Sequence, residues 1–209
     1  VTSFDKYLNA FPKGAFAVYA HFYRGQCLYS QQNYPKSRTD YEYVIAQSSN
    51  LFTEQALDKA SRIALHIDKD YDKAFNYSKK LYDIASKKDL KVEALRNLVR
   101  SSYYLKKQED LTTYSDLLLK SEGKTTDDDI EIYFYRGRLA YDKGNTLVAK
   151  QNLQQVASRT TNEMGAQARY YLAQIAYQQK EYDAAKALCL KVSNETASQE
   201  YWVVKSFIL

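Results

Sequence analysis

Small and apolar residues recur along the chain at intervals of three and four, with polar residues between them. Ala17, Ala20, His21, Arg24, Gly25 and Leu28 fall on one such stripe, the spacing i, i+3, i+4 and i+7 that marks one face of a helix. Short polar turns separate successive stripes, and a short turn between two helices makes them antiparallel neighbours. Neither helix of such a pair can bury its stripe alone, so the pairs must stack into a continuous core. Turn residues agree with this pattern. The 209 residues include only 6 Gly and 2 Pro, too few for the many turns of a β-sandwich, a barrel or a doubly wound α/β fold.

The helical pairs repeat. Tyr23-Arg24-Gly25-Gln26-Cys27-Leu28-Tyr29 is echoed by Tyr135-Arg136-Gly137-Arg138-Leu139-Ala140-Tyr141 and by Tyr171-Leu172-Ala173-Gln174-Ile175-Ala176-Tyr177. Two degenerate copies lie between them, one from Arg62 to Ala74 and one from Arg100 to Leu111. The anchors Gly25, Arg62, Arg100, Gly137 and Ala173 are 37, 38, 37 and 36 residues apart, a period that signals a helical array. A small anchor lets the second helix approach closely, and Ser37, Ala74, Ala149 and Ala185 do the same from the other side. The expected fold is all-α, a right-handed superhelical solenoid of stacked antiparallel helix pairs. Its repeats are expected at 15–50, 52–88, 89–124, 127–160 and 162–195. Residues 1–11 read as the last helix of a preceding repeat and 198–209 as the start of a sixth, so the array is expected to be a fragment of a longer chain. The apolar run Phe207-Ile208-Leu209 adds an expectation of end-to-end self-association.

The pattern Leu-Gly or Leu-Ala, an aromatic, Gly or Lys before Tyr, and then Ala resembles that of tetratricopeptide repeats. Tyr171-Leu172-Ala173, Tyr182, Ala185 and Val192 carry the resemblance best, followed by Gly137, Gly144, Ala149, Leu153 and Val156. Arg62 and Arg100, where a small residue is usual, and Thr112, where Ala is usual, depart from it and predict splayed helix pairs. The junction Phe11-Pro12-Lys13-Gly14-Ala15-Phe16-Ala17 and the 21 tyrosines are similar to those of bacterial cell-envelope members of this family, the Tol-Pal-associated periplasmic and outer-membrane-assembly types. What the resemblance implies is a non-enzymatic scaffold whose first helices line a concave groove for a protein or peptide partner, in the periplasm or at the outer membrane.

Chemistry at the residue level points the same way. His21 and His66 are the two neutral-pH acid–base groups and lie in different repeats. No Ser or Cys stands at a recognisable spacing from a His and a carboxylate, and the glycines form no phosphate loop. No catalytic residue, metal site, cofactor or small-molecule substrate is therefore expected. Asp127, Asp128 and Asp129 precede a helix and read as cap and dipole partners. Cys27 and Cys189 sit within apolar helical patterns and read as buried thiols. No apolar run reaches the length of a membrane span.

Two binding readings remain. Positions 3 before, 1 after and 4 after the anchor share one face of each first helix. On it fall the expected partner-binding residues Phe22, Gln26, Tyr29, His66, Asn97, Tyr104, Phe134, Arg138, Tyr141, Tyr170, Gln174 and Tyr177. Such an aromatic ladder suits peptide capture; the same tyrosines also suit packing between adjacent first helices, and the sequence supports both. The alternative is single-stranded nucleic acid, because residues 69–107 hold 11 Lys/Arg against 5 Asp/Glu while the whole chain carries +5. Lys79, Lys80, Lys87 and Lys88 are expected on outward-facing second helices, which argues against that alternative.

Overall fold

The computed structural model describes all 209 residues, and the chain folds into helices without a strand. Two units divide it at Leu105–Lys106, within the expected 89–124 repeat. The first unit holds α1 (Thr2–Ala10), α2 (Ala17–Ser30), α3 (Tyr34–Ala46), α4 (Thr53–Arg62), α5 (Tyr71–Ile84) and α6 (Lys88–Tyr104). The second holds α7 (Gln108–Leu119), α8 (Thr126–Asp142), α9 (Thr146–Ala157), α10 (Glu163–Gln178), α11 (Tyr182–Glu195) and α12 (Glu200–Ile208). Within the first, α2 packs on α3 and α4 on α5, and α6 covers α5; within the second, α8 packs on α9 and α10 on α11, and α12 closes over both α10 and α11.

Close approach at the anchors explains their size. A Cβ on Gly25 would come within 3.2 Å of Asp40 Cβ and of the Tyr41 ring, and one on Gly137 within 2.8 Å of Leu153 Cγ. Ala173 is buried at the third such crossing. From the opposite helices Ser37, Ala74, Ala149 and Ala185 are all buried, and Ser37 Oγ donates to the Gly25 carbonyl at 2.8 Å.

The turns explain the period. Gln32, Lys69, Lys106, Gly144 and Lys180 all have positive φ, between +54° and +76°, the left-handed conformation that ends a helix. After three of these residues the next amide reaches back five positions, as in Asn33 to Leu28, Asn145 to Ala140 and Glu181 to Ala176. After Lys69 the reach is six, from Asp70 to Ala64 at 2.8 Å. The extra residue is absorbed by a π-helical segment, Ile63–Asp68, that continues α4, a single-turn insertion of a known kind.

That insertion corrects the register. Gly25, Gly137 and Ala173 each stand seven residues before their left-handed turn residue. Counting from Lys69 and allowing one inserted residue places the second anchor at Ser61, which is small and fully buried, and not at Arg62. Counting seven from Lys106 places the third at the buried Val99 and not at Arg100. The expected splaying does not occur at the turn of the second pair, where Ala64, Leu65 and Ala74 form a closed buried cluster.

Helix starts differ between the units. Asp70 caps α5 in the first. In the second, Thr125, Asn145 and Asn162 cap α8, α9 and α10. Asp128 acts as anticipated, completing a capping box with Thr125, two donors satisfied reciprocally.

Candidate functional site on the first helices

Four of the twelve expected ladder residues lie in the interior. Phe22 is buried and stacks on Phe52 at 4.2 Å. Asn97 is buried and donates to Ser61 Oγ at 3.3 Å. Phe134 and Tyr170 are buried against Tyr135 and Trp202. Phe22, Asn97 and Tyr170 join neighbouring helices through these contacts, Asn97 lying two residues before the corrected anchor Val99 and the other two three residues before theirs. His66 and Tyr104 remain exposed, but the corrected register moves both off the expected row, and Tyr104 stacks on Tyr71 at 4.4 Å. Burial, then the charges of Arg100 and Arg62, hold the His66 pKa below its ordinary value.

The first unit spends its charged groups internally. Asp40, buried on α3, takes hydrogen bonds from Arg24 Nε at 2.9 Å and Nη2 at 2.7 Å. His21 Nδ1 lies 2.6 Å from the same carboxylate, and Arg24 Nη1 reaches on to Asp5 at 2.8 Å. The His21 ring is stacked on Tyr43 at 3.8 Å. Burial alone would raise the Asp40 pKa, but the hydrogen bonds from His21 and Arg24 outweigh it and hold the carboxyl below its usual range. Arg62 repeats the theme, bonding Asp58 and Glu93 at 2.9 Å each. What stays on the surface is Gln26 and Tyr29, the latter edge-on to Tyr34 and beneath Lys59 Nζ at 4.9 Å.

The second unit is arranged differently. Arg138 on α8 lays its guanidinium over Tyr171 of α10, Cζ 3.6 Å from the ring centroid, and within 5.8 Å of Tyr141. Tyr141 Oη donates to Gln174 Oε1 at 3.1 Å and accepts from Gln178 Nε2 at 3.2 Å. Tyr171 continues to Trp202 of α12 at 6.1 Å. Lys205, one turn beyond Trp202, sits 5.2 Å from that ring and 5.2 and 5.4 Å from Tyr170 and Tyr201. Tyr177 is exposed against Tyr182 at 5.5 Å. Arg138, Tyr141 and Gln174 are thus brought together as the sequence anticipates. Tyr171, Trp202 and Lys205 are additions. The Trp202–Lys205 spacing of three on a helix is the signal that could have found them.

Cys27 and Cys189 are half-buried free thiols rather than fully buried ones, and burial raises the Cys189 pKa. Lys79 and Lys80 are exposed on α5, whereas Lys87 lies in the turn before α6 and Lys88 opens it, both exposed. No three His, Cys, Asp or Glu side chains lie together as a metal site would need, and no helix is long and apolar enough to cross a membrane.

The tetratricopeptide repeat family profile matches residues 2–51 and 135–194, more than half of the chain, and the chain belongs to this family. Tetratricopeptide repeats are typically non-enzymatic protein-interaction folds. Among solved structures, a Rap protein complexed with Competence and Sporulation Factor is similar over 99% of this chain, with a TM-score of 0.55 and 18% identity. The chain spans 62% of that protein's length. A thermophilic TPR protein of Thermus thermophilus aligns with 92% of this chain and 100% of its own at a TM-score of 0.46 and 17% identity. No curated protein matches the chain significantly in sequence. The fold is the all-α helical-repeat fold.

Proposed function

We propose that the chain is an interaction scaffold that takes an extended segment of a partner protein on the first helices of its second unit. The observation that carries this is the Arg138–Tyr141–Tyr171–Gln174 cluster, where a stacked cation and hydrogen-bonded amides stand between aromatic rings. Rigid aromatic and arginine side chains of this kind dominate protein interfaces. The Rap protein of the same fold, bound to a factor, supports a fold able to hold another molecule. A bacterial cell-envelope location is the finer part of the reading and rests on the Phe11–Ala17 junction and the abundance of Tyr.

Affinity capture from an extract of the source cells tests it. The intact chain, a Tyr141→Ala/Gln174→Ala form and a second-helix control, Lys150→Ala/Gln154→Ala, are compared after circular dichroism confirms that all three are folded. The expected result is a protein retained by the first and third and lost from the second. Retention by all three sinks the reading.

A further inference from the structure

Arg138 has five N–H donors and none of them makes a hydrogen bond within the protein. Its Nη1 is buried without an acceptor, and Nη2 stands 3.3 Å from Asp142 as a loose ion pair. Asp142 is one turn further along α8 and 44% exposed on its side chain, free to swing away. Lys205 has three aromatic faces within 5.4 Å and no carboxylate partner. Arg138 lies on the face of Tyr171, and that ring meets Trp202, which Lys205 approaches at 5.2 Å. Burial raises the Tyr171 pKa, with the charges of Arg138 and Lys205 acting in the opposite direction. A guanidinium held against a ring is pre-organised and weakly hydrated, the form of cation best suited to pairing a planar carboxylate.

We propose that Arg138, Tyr171 and Lys205 form a binding site for an Asp or Glu side chain, so that the partner segment held by α8, α10 and α12 is an acidic peptide. This rests on the interaction reading above and deepens it. The incoming carboxylate displaces Asp142 and pairs with Arg138 Nη2 in its place, while Lys205 supplies the second positive charge. The aromatic rings between them exclude water and strengthen the pairing. In the second repeat the arginine at the same place, Arg62, already has its carboxylates in Asp58 and Glu93.

Trp202 is the one tryptophan of the chain, and its place beside Lys205 makes its emission a built-in reporter. The probe is an array of random decapeptides with acetylated and amidated ends, each acidic peptide paired with its Asn/Gln counterpart. Hits are titrated against the intact chain by Trp202 fluorescence. Acidic peptides are expected to bind saturably, and their amide counterparts to bind roughly tenfold more weakly, the usual worth of a charge-assisted pair. Arg138→Gln and Lys205→Gln are each expected to erase the acid–amide difference while the helical spectrum is kept, and Arg138→Lys to restore part of it.

Equal binding of the two peptide series overturns the carboxylate site and leaves the scaffold reading standing. Binding that requires a free C-terminal carboxylate overturns the side-chain assignment, and saturation of the same signal by an oligouridine assigns the anion to nucleic acid instead. If no peptide of either series binds, or if the Tyr141→Ala/Gln174→Ala form binds them all unchanged, the scaffold reading falls with it.

Discussion

Arg62 and Arg138 stand at the same place in their repeats, one residue after the small anchor Ser61 or Gly137, yet they do opposite work. Arg62 closes a network across the first unit, bonding Asp58 on its own helix and Glu93 on α6. Glu93 also pairs with Arg96. Arg138 meets no carboxylate on the next first helix, because α10 offers Tyr171 and Gln174 there instead. One repeat design thus yields either an arginine paired across the helices or one stacked on a ring, and the choice is made by the side chain that the following helix presents. Charge in such an array is informative about partners only after the internal pairs have been subtracted. In the first unit, Arg24, His21, Arg62 and Lys73 are all accounted for by Asp40, Asp5, Asp58 and Glu42.

The sharpest way to break this contrast is to remove the carboxylate at the centre of the first unit. Asp40 is almost wholly buried between Arg24 and His21, and losing it leaves His21 without a carboxylate and Arg24 with only the partly exposed Asp5. Asp40→Asn is expected to cost about 3 kcal/mol in urea unfolding. The pH dependence follows from the direction of its shift. The folded pKa lies below the unfolded value of about 3.9, so the contribution is complete above that value. It is lost as the pH falls through the folded pKa. The wild type should therefore lose stability on acidification below about pH 4 more steeply than Asp40→Asn. Parallel curves would mean that the network contributes nothing and that the two units do not differ in this respect.

The reassigned register comes next. Ser61 is fully buried where the helices cross, so Ser61→Leu is expected to destabilise by about 2 kcal/mol through overpacking. Arg62→Leu, losing two partly exposed pairs, should cost about 1 kcal/mol or less. The reverse order in thermal or urea unfolding would restore Arg62 as the anchor and remove the equivalence with Arg138. A smaller effect is expected at the start of α8, where the second unit is better capped than the first. Thr125→Ala removes one half of the capping box and should cost about 1 kcal/mol, with faster amide exchange confined to the first turn of that helix.

Much of the fold is legible in the sequence because its signal is periodic. Gly25, Gly137 and Ala173 are small for a steric reason that any helical pairing would impose, and Tyr171 to Val192 carries the family pattern openly. The second repeat sits one residue off the sequence period because an inserted π turn leaves no residue-type signature, and in the third the anchor place falls to Val99, which is not small. Arg62 falls on the period while Ser61 falls in the crossing. The left-handed turn residues are silent for a similar reason, since four of the five are Gln or Lys rather than Gly. At the candidate site, Arg138, Tyr141 and Gln174 can be placed from helical spacing alone. The burial of Phe22, Asn97, Phe134 and Tyr170 cannot, because it depends on which face the next first helix covers. Tyr171 and Lys205 enter the site through contacts between helices distant from one another in sequence.

The smallest expected effect is the most diagnostic. Arg138→Gln removes a cation from the face of Tyr171, a loss of about 0.5–1 kcal/mol for a partly exposed pair. It also removes a buried donor that has no acceptor, a burden of about 1 kcal/mol or more. The two terms oppose each other, and the ion pair with the exposed Asp142 adds little. Unfolding free energy should therefore change by less than about 0.5 kcal/mol, whereas Arg62→Gln in the first unit, losing two ion pairs, should cost up to about 1 kcal/mol. A group that the fold can lose without cost, at a position where its counterpart contributes to stability, is free to serve a purpose outside the fold. If Arg138→Gln instead destabilises as much as Arg62→Gln, the guanidinium is holding α8 to α10 as a strut. The contrast between the two units would then vanish.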